Sequence, residues 1–189
     1  MIQIQNVTIS DLDRAIRASK FPMAADVNGV STEMTKRQKA LAQVPSGTGH
    51  DCFLKGITVA FDLTATNKMW IQLQRYHFGD IVSSQSTMHR LSKIDLEEAL
   101  NIWVDPFIVE RMKILQETYR LTGKPEDELR LLYSCPSGLK ITARYVTNYL
   151  QLKTIYHQRK NHRLPEWKEF CAWVESLPRF KELVLGDEE

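Results

Sequence analysis

Proline punctuates the second half of this chain at intervals that leave mainly helices between the breaks. A helical pattern runs from Lys93 to Thr122, is broken at Asp105-Pro106, and resumes as FIVERMKILQETYRL until Gly123 closes it. Pro125, followed by Glu126, Asp127 and Glu128, opens the next helix, because proline needs no N–H at a first helical position and acids suit the positive end of the helix. That helix ends near Cys135-Pro136, and Pro165 starts a last one that runs through EWKEFCAWVESL to Pro178. Between them the pattern predicts a short strand or turn and then a long helix from about Ala143 to Lys160.

The first half reads differently. Residues 2–9 alternate in the strand manner, Ser10 caps a helix reaching about Phe21, and ITVAFDL at 57–63 is β-branched and aromatic enough for a strand. Residues 22–48 read as a surface insertion of low order around one exposed helix. Residues 66–77 form a short helix with Met69, Trp70 and Leu73 on its apolar side, which leaves Lys68, Gln72 and Arg75 on a face free for a ligand. The stretch 78–90, rich in Ser and short of core residues, is expected to be an ordered polar loop.

Composition narrows the function classes. With 25 Lys+Arg against 23 Asp+Glu the formal charge is +2, too small for the basic stripe that duplex nucleic acid requires. No apolar run approaches the roughly 18–20 residues of a membrane span, and the start lacks a secretory pattern, so a cytoplasmic protein is expected. Cys52, Cys135 and Cys171 share no metal or disulfide spacing, and the five histidines scatter, so no metal site is expected.

Several side chains suit chemistry. On the expected long helix Asn148 and Arg159 lie 11 residues apart, about 20° from three full turns, and would bracket a ligand about 16 Å long. Spacing alone equally allows a surface amide and a cation that closes the helix. Gln72 and Arg75 put a carboxamide and a guanidinium one turn apart, suited to a pyrimidine edge and a phosphate, although a solvated face gives the same pattern. His50 follows a Gly-rich turn and suits an anion or a ring. Cys135 is a conceivable nucleophile, but no adjacent base is in view and a buried thiol is the simpler reading. Trp103, Trp167, Phe170 and Trp173 have core-like spacing.

The stretch GHDCFLKGITVAFDLTATNKMWIQLQRYHFGDIVSSQSTMHRLSK resembles the central block of the flavin-dependent thymidylate synthases (ThyX-like proteins). His50 precedes Gln72 by 22 residues and Arg75 by 25, in that family's register without a gap. Cys135-Pro136, Asn148 and Arg159 are similar to its L-P, N and R at intervals of 12 and 11 residues, and NHRLPEWKEF resembles the segment that follows. The likeness covers about residues 49–175. It implies one α/β (α+β) domain over 1–189, with helices packed on a small mixed sheet and a helix-rich C-terminal half. It also implies a homotetramer with shared active sites, FAD as cofactor, and methyl transfer to C5 of dUMP with methylenetetrahydrofolate and NADPH as co-substrates.

By the same resemblance Arg159 is the catalytic cation against the base. Gln72, Arg75 and Arg90 join it in holding the nucleotide, while His50, Arg75, His77 and Asn148 hold the flavin. The family's R-H-R stands here as Arg75-Tyr76-His77, its Asn, Glu and Ser positions are occupied by Ser83, Ser84, Gln85 and Ser86, Arg90 arrives about three residues late, and Leu132 replaces an arginine. These departures leave three alternatives beside thymidylate synthesis: a re-purposed nucleotide- or flavin-binding homologue without catalysis, a pyrimidine hydroxymethylase, and a flavin-free enzyme using Cys135.

Overall fold

A computed structural model describes residues 1–186 of the chain. Four strands form one sheet in the order β1-β2-β4-β3: β1 (Gln3–Ser10), β2 (Thr58–Thr66), β3 (Asp80–Ser84) and β4 (Lys140–Asn148). Every pairing is antiparallel, where a mixed sheet was expected. The fold is α+β.

Strand β2 alternates cleanly. Val59, Phe61, Leu63 and Ala65 are fully buried, and β4 sets Ala143, Tyr145 and Thr147 on the same face. The other face is polar: Thr64 bonds Thr142 at 2.7 Å, and Arg144 reaches Asp62 at 3.1 Å. Asn6 also donates to Asp62, and with Arg144 it holds that carboxyl below the usual carboxylate range.

The apolar face is covered by α3 (Asn67–Leu73), α8 (Tyr149–Arg159) and α9 (Pro165–Glu175), with α1 (Leu12–Ala18) and α2 (Lys36–Gln43) beside them. Phe61 packs against Trp173 at 4.6 Å and Phe170 at 6.0 Å between ring centroids. A second apolar cluster joins α4 (Thr87–Arg90), α5 (Leu96–Ala99), α6 (Pro106–Thr122) and α7 (Pro125–Tyr133) through residues such as Leu91, Leu96, Met112 and Leu131. Prolines open α6, α7 and α9 as expected, and Gly123 at φ 60° closes α6. The stretch 22–48 holds α2, where Gln38 and Ala42 are buried, and Arg17 and Lys20 bond its backbone.

Two sequence expectations are corrected. The helix expected from Ala143 starts only at Tyr149, because KITARYVTN alternates buried and half-buried residues along β4 and Asn148 is the helix cap, its Oδ1 accepting from Gln151 N–H at 2.9 Å. The polar stretch 78–90 contains β3 and α4 instead of a continuous loop. Strand β3 is an edge strand, so backbone pairing with β4 supports it without an apolar face.

Gly79 sits directly on Tyr145. A Cβ there would lie 1.6 Å from the tyrosine hydroxyl, itself fully buried and without a hydrogen-bond partner among the described residues. Gly79→Ala is therefore expected to lower stability by about 1–3 kcal/mol. Gly29→Ala, where nothing lies within 4 Å, should change it by less than about 0.5 kcal/mol in parallel denaturant melts.

Candidate active site

Helix α3 is aligned on α9 by one carboxylate. Glu166 Oε1 accepts from Thr66 N–H at 3.0 Å and its Oε2 from the Thr66 hydroxyl at 2.9 Å, in a buried setting. Thr66 in turn caps α3 by accepting from Met69 N–H. With both helix starts tied together, Gln72 meets Trp167: the buried indole Nε1 donates to Gln72 Oε1 at 2.8 Å. The same oxygen accepts from Arg159 Nη1 at 3.3 Å.

Arg159 ends α8 and is held on several sides. Its Nε donates to the Tyr76 hydroxyl at 2.9 Å, and that hydroxyl donates to Gln158 Oε1 at 3.0 Å. The guanidinium carbon lies 4.9 Å from the Trp167 ring centre and 5.8 Å from that of Tyr76. Its partners are all neutral, and no carboxylate lies within ion-pair distance among the described residues. Arg159 Nη2 and Gln72 Nε2 have no hydrogen-bond partner among the described residues, so their donors remain open to a ligand. Such a half-buried, donor-rich pocket suits an acceptor-bearing ring or an anion.

The structure brings Gln72 and Arg159 together from elements 87 residues apart. It does not gather the other expected ligands around them. Arg75, His77 and His50 are exposed, and no hydrogen bond among the described residues joins them to the pair. His50 follows Gly49, at φ 84°, and precedes Asp51, which is buried against Lys153 Nζ at 2.7 Å. Arg90 ends α4, half-buried, and lines a separate cavity of about 350 Å³ with Gln85, Lys140 and Thr142. Asn148 caps the start of α8 and Arg159 ends it, and the Asn148 side-chain carbonyl accepts the capping bond from Gln151 N–H. Nor is the α3 face wholly free, since Gln72 is half-buried and bonded.

Two members of the pocket escaped sequence reasoning. Trp167 has core-like spacing and is indeed buried, but a buried indole N–H needs an acceptor, and that need points to a nearby carboxamide. Tyr76 carries no signal of its own in the sequence, yet its hydroxyl accepts from Arg159 Nε and helps fix the guanidinium. Trp103, expected in the core, is 79% exposed. Burial pushes the Cys135 thiol up to about 11, and its one hydrogen-bond acceptor among the described residues is the Pro136 carbonyl, so it stays protonated near neutrality and is a poor nucleophile.

No protein-family model and no curated protein matches the sequence. Solved structures match in shape. The flavin-dependent thymidylate synthase ThyX from Helicobacter pylori, complexed with FAD and dUMP, is 16% identical, with 98% of each chain covered and a TM-score of 0.70. A second structure of that enzyme with FAD and dUMP is 16% identical, covers 99% of this chain and 98% of its own, and gives 0.71. The UMP/dUMP methylase PolB from Streptomyces cacaoi, bound with 5-Br dUMP, is 13% identical, covers 98% and 92%, and gives 0.61. The chain has the fold of the flavin-dependent thymidylate synthases.

His162 makes the pocket sensitive to pH. Its Nδ1 accepts from Leu164 N–H at 3.1 Å, and burial, then Arg159 and Arg163, lower its pKa from the ordinary 6.5. The folded state thus binds the proton less readily than the unfolded chain, so this contribution is complete above the unfolded value and is lost as pH falls through the folded one. Thermal melts from about pH 7.5 to about pH 5 should show stability declining, and His162→Gln should flatten part of that slope.

Proposed function

We propose that the chain binds a pyrimidine deoxynucleotide of the dUMP kind at the Gln72–Arg159 pocket and transfers a one-carbon unit to C5 of its ring. The observation that carries this reading is the meeting of Gln72 and Arg159, two residues singled out in the sequence, on one carboxamide oxygen. Solved proteins of the same fold, complexed with dUMP or 5-Br dUMP, support the choice of ligand.

Gln72 presents amide donors to a ring carbonyl, its own carbonyl being anchored by Trp167. Arg159, oriented by Tyr76 and stacked on Trp167, stabilises charge that develops on the ring as the new bond forms at C5. The cation needs no reorganisation to do so, since packing already sets its position. Arg75 and Arg90 belong to the same nucleotide-binding set in this proposal, as contacts for its phosphate.

FAD is the proposed cofactor. In this proposal the exposed Arg75, His77 and His50 and the side-chain N–H donors of Asn148 supply hydrogen-bond donors to its diphosphate. FAD supplies hydride chemistry when bound, with NADPH as reductant and methylenetetrahydrofolate as carbon donor. Because the reacting carbon and hydride come from small molecules, no protein nucleophile is required, in keeping with the protonated Cys135.

Self-association is part of the proposal. On α6, Phe107, Ile114 and Leu121 recur at seven-residue intervals and are 84%, 54% and 78% exposed, and on α7 Leu129 and Tyr133 are exposed as well. A homotetramer would cover this surface. No helix among the described residues is long and apolar enough to cross a membrane. Light scattering should give about four chains per particle, and Ile114→Glu should shift the mass downward without unfolding the chain. A monomeric wild type would overturn the assembly.

Calorimetric titration with dUMP tests the pocket. Arg159→Ala removes a charge-assisted contact and should weaken binding by about 1.5–3 kcal/mol, roughly 10–150-fold, with Gln72→Ala weaker by a smaller factor. Equal affinities in wild type and both variants would overturn the site. A yellow protein, or a thermal shift with added FAD, supports the cofactor; nucleotide binding without turnover would leave the re-purposed homologue as the reading.

A further inference from the structure

A cleft of about 640 Å³ opens between the starts of α3 and α9 and the turn at 101–104. Trp103 and Ile102 line it and are 79% and 82% exposed. An indole so exposed is expensive to leave in water, and the backbone that carries this one is held in place. Asn101 N–H donates to the Gly138 carbonyl at 2.9 Å, Val104 N–H to the Asn101 carbonyl at 2.9 Å, and Trp103 N–H to Asn101 Oδ1 at 3.0 Å. Gly138 lets the turn lie close, because a Cβ there would fall 2.3 Å from Val104 Cγ2.

Lys68 and Arg163 line the same cleft, and neither side chain has a hydrogen-bond or ion-pair partner among the described residues. Two carboxylates, Glu166 and Glu169, line the cleft as well, each held by neutral donors. Both oxygens of Glu166 accept from Thr66, and Glu169 accepts from Ile2 N–H at 2.8 Å. The cleft therefore offers an exposed indole on a pinned turn and two cations without partners among the described residues, beside two carboxylates bonded to the protein's own donors. Lys68 is one turn from Gln72 on α3, and Arg163 is four residues beyond Arg159, so the cleft flanks the nucleotide pocket.

We propose that this cleft is a second ligand site for a planar aromatic ring that carries an anionic group. The ring stacks on Trp103, and a phosphate or carboxylate sits against Lys68 and Arg163. Both anions satisfy the same chemistry, and the probes below separate them. The proposal stands independently of the dUMP reading, because its signal comes from Trp103 and not from the Gln72–Arg159 pocket.

The experiment is tryptophan fluorescence of the intact chain titrated with AMP, 4-aminobenzoate and adenosine. Trp103→Phe isolates the Trp103 signal, since Trp70 and Trp167 are buried and Trp173 is half-buried. Saturable quenching by AMP, by 4-aminobenzoate or by both, lost in Trp103→Phe, is the expected result; the stronger of the two identifies the anion. Lys68→Gln and Arg163→Gln should each weaken that binding about fivefold while leaving dUMP affinity by calorimetry at the wild-type value. Thermal melts of the variants at the wild-type temperature establish that they fold. No saturable quenching up to about 10 mM of either anion overturns the proposal, as does adenosine binding as tightly as AMP. Protection of Trp103 from acrylamide in the ligand-free protein also overturns it, and assigns the cleft to contact with a second copy.

Discussion

The buried carboxylate of Glu166 is the contact on which the geometry of the candidate site depends. A buried carboxylate is tolerated only when its oxygens are satisfied, and both find donors on Thr66. Thr66 is at once the last residue of β2 and the cap of α3, so one group joins the sheet, the α3 start and the α9 start. The first turn of α3 also presents its positive end to that carboxylate. From this joint the next turns of both helices are in register, and Gln72 and Trp167 meet. Loosening it would move the carboxamide away from the indole and unseat Arg159.

A second buried charge fixes the other side of α8. Lys153 Nζ bonds the Ala42 and Val44 carbonyls and the Asp51 carboxylate, at 2.6–2.7 Å, with both charged groups only 2% exposed. Breaking such a pair from one side leaves a buried charge uncompensated, which is far costlier than losing a surface pair. The pair ties the end of α2 and the turn bearing His50 to the same helix that ends at Arg159. Helix α8 is thus clamped by Lys153 in its middle and capped by Asn148 at its start, which leaves Arg159 at the end of a rigid element.

The helices of the second half were legible because prolines and Gly123 state their ends locally. Strand β4 was not, because Ala143 and Arg144 suit a helix, and the decisive facts are pairing with β2 and the capping role of Asn148, both of which need the fold. Strand β3 has no apolar pattern to read, since an edge strand is supported through its backbone. Gln72 and Arg159 were visible through spacing. Tyr76 and Trp167 were hidden, because hydroxyl and indole groups take their meaning from the neighbours that satisfy them. The exposure of Trp103 was hidden too, as its spacing is that of a core residue while its turn is pinned by Asn101 and Gly138.

What sets Arg159 apart is the neutrality of everything that holds it. A carboxylate partner would orient a guanidinium equally well, but would cancel the field that a developing anion needs. Tyr76 and Gln72 orient it through hydrogen bonds, and Trp167 supplies a ring face, so position is fixed while the full charge is retained. Tyr76 serves the same end: its ring packs edge-on to Trp167 at 6.5 Å and its hydroxyl accepts from Arg159 without adding charge. The pocket accordingly holds its cation by hydrogen bonds and a ring face, with no carboxylate at ion-pair distance among the described residues.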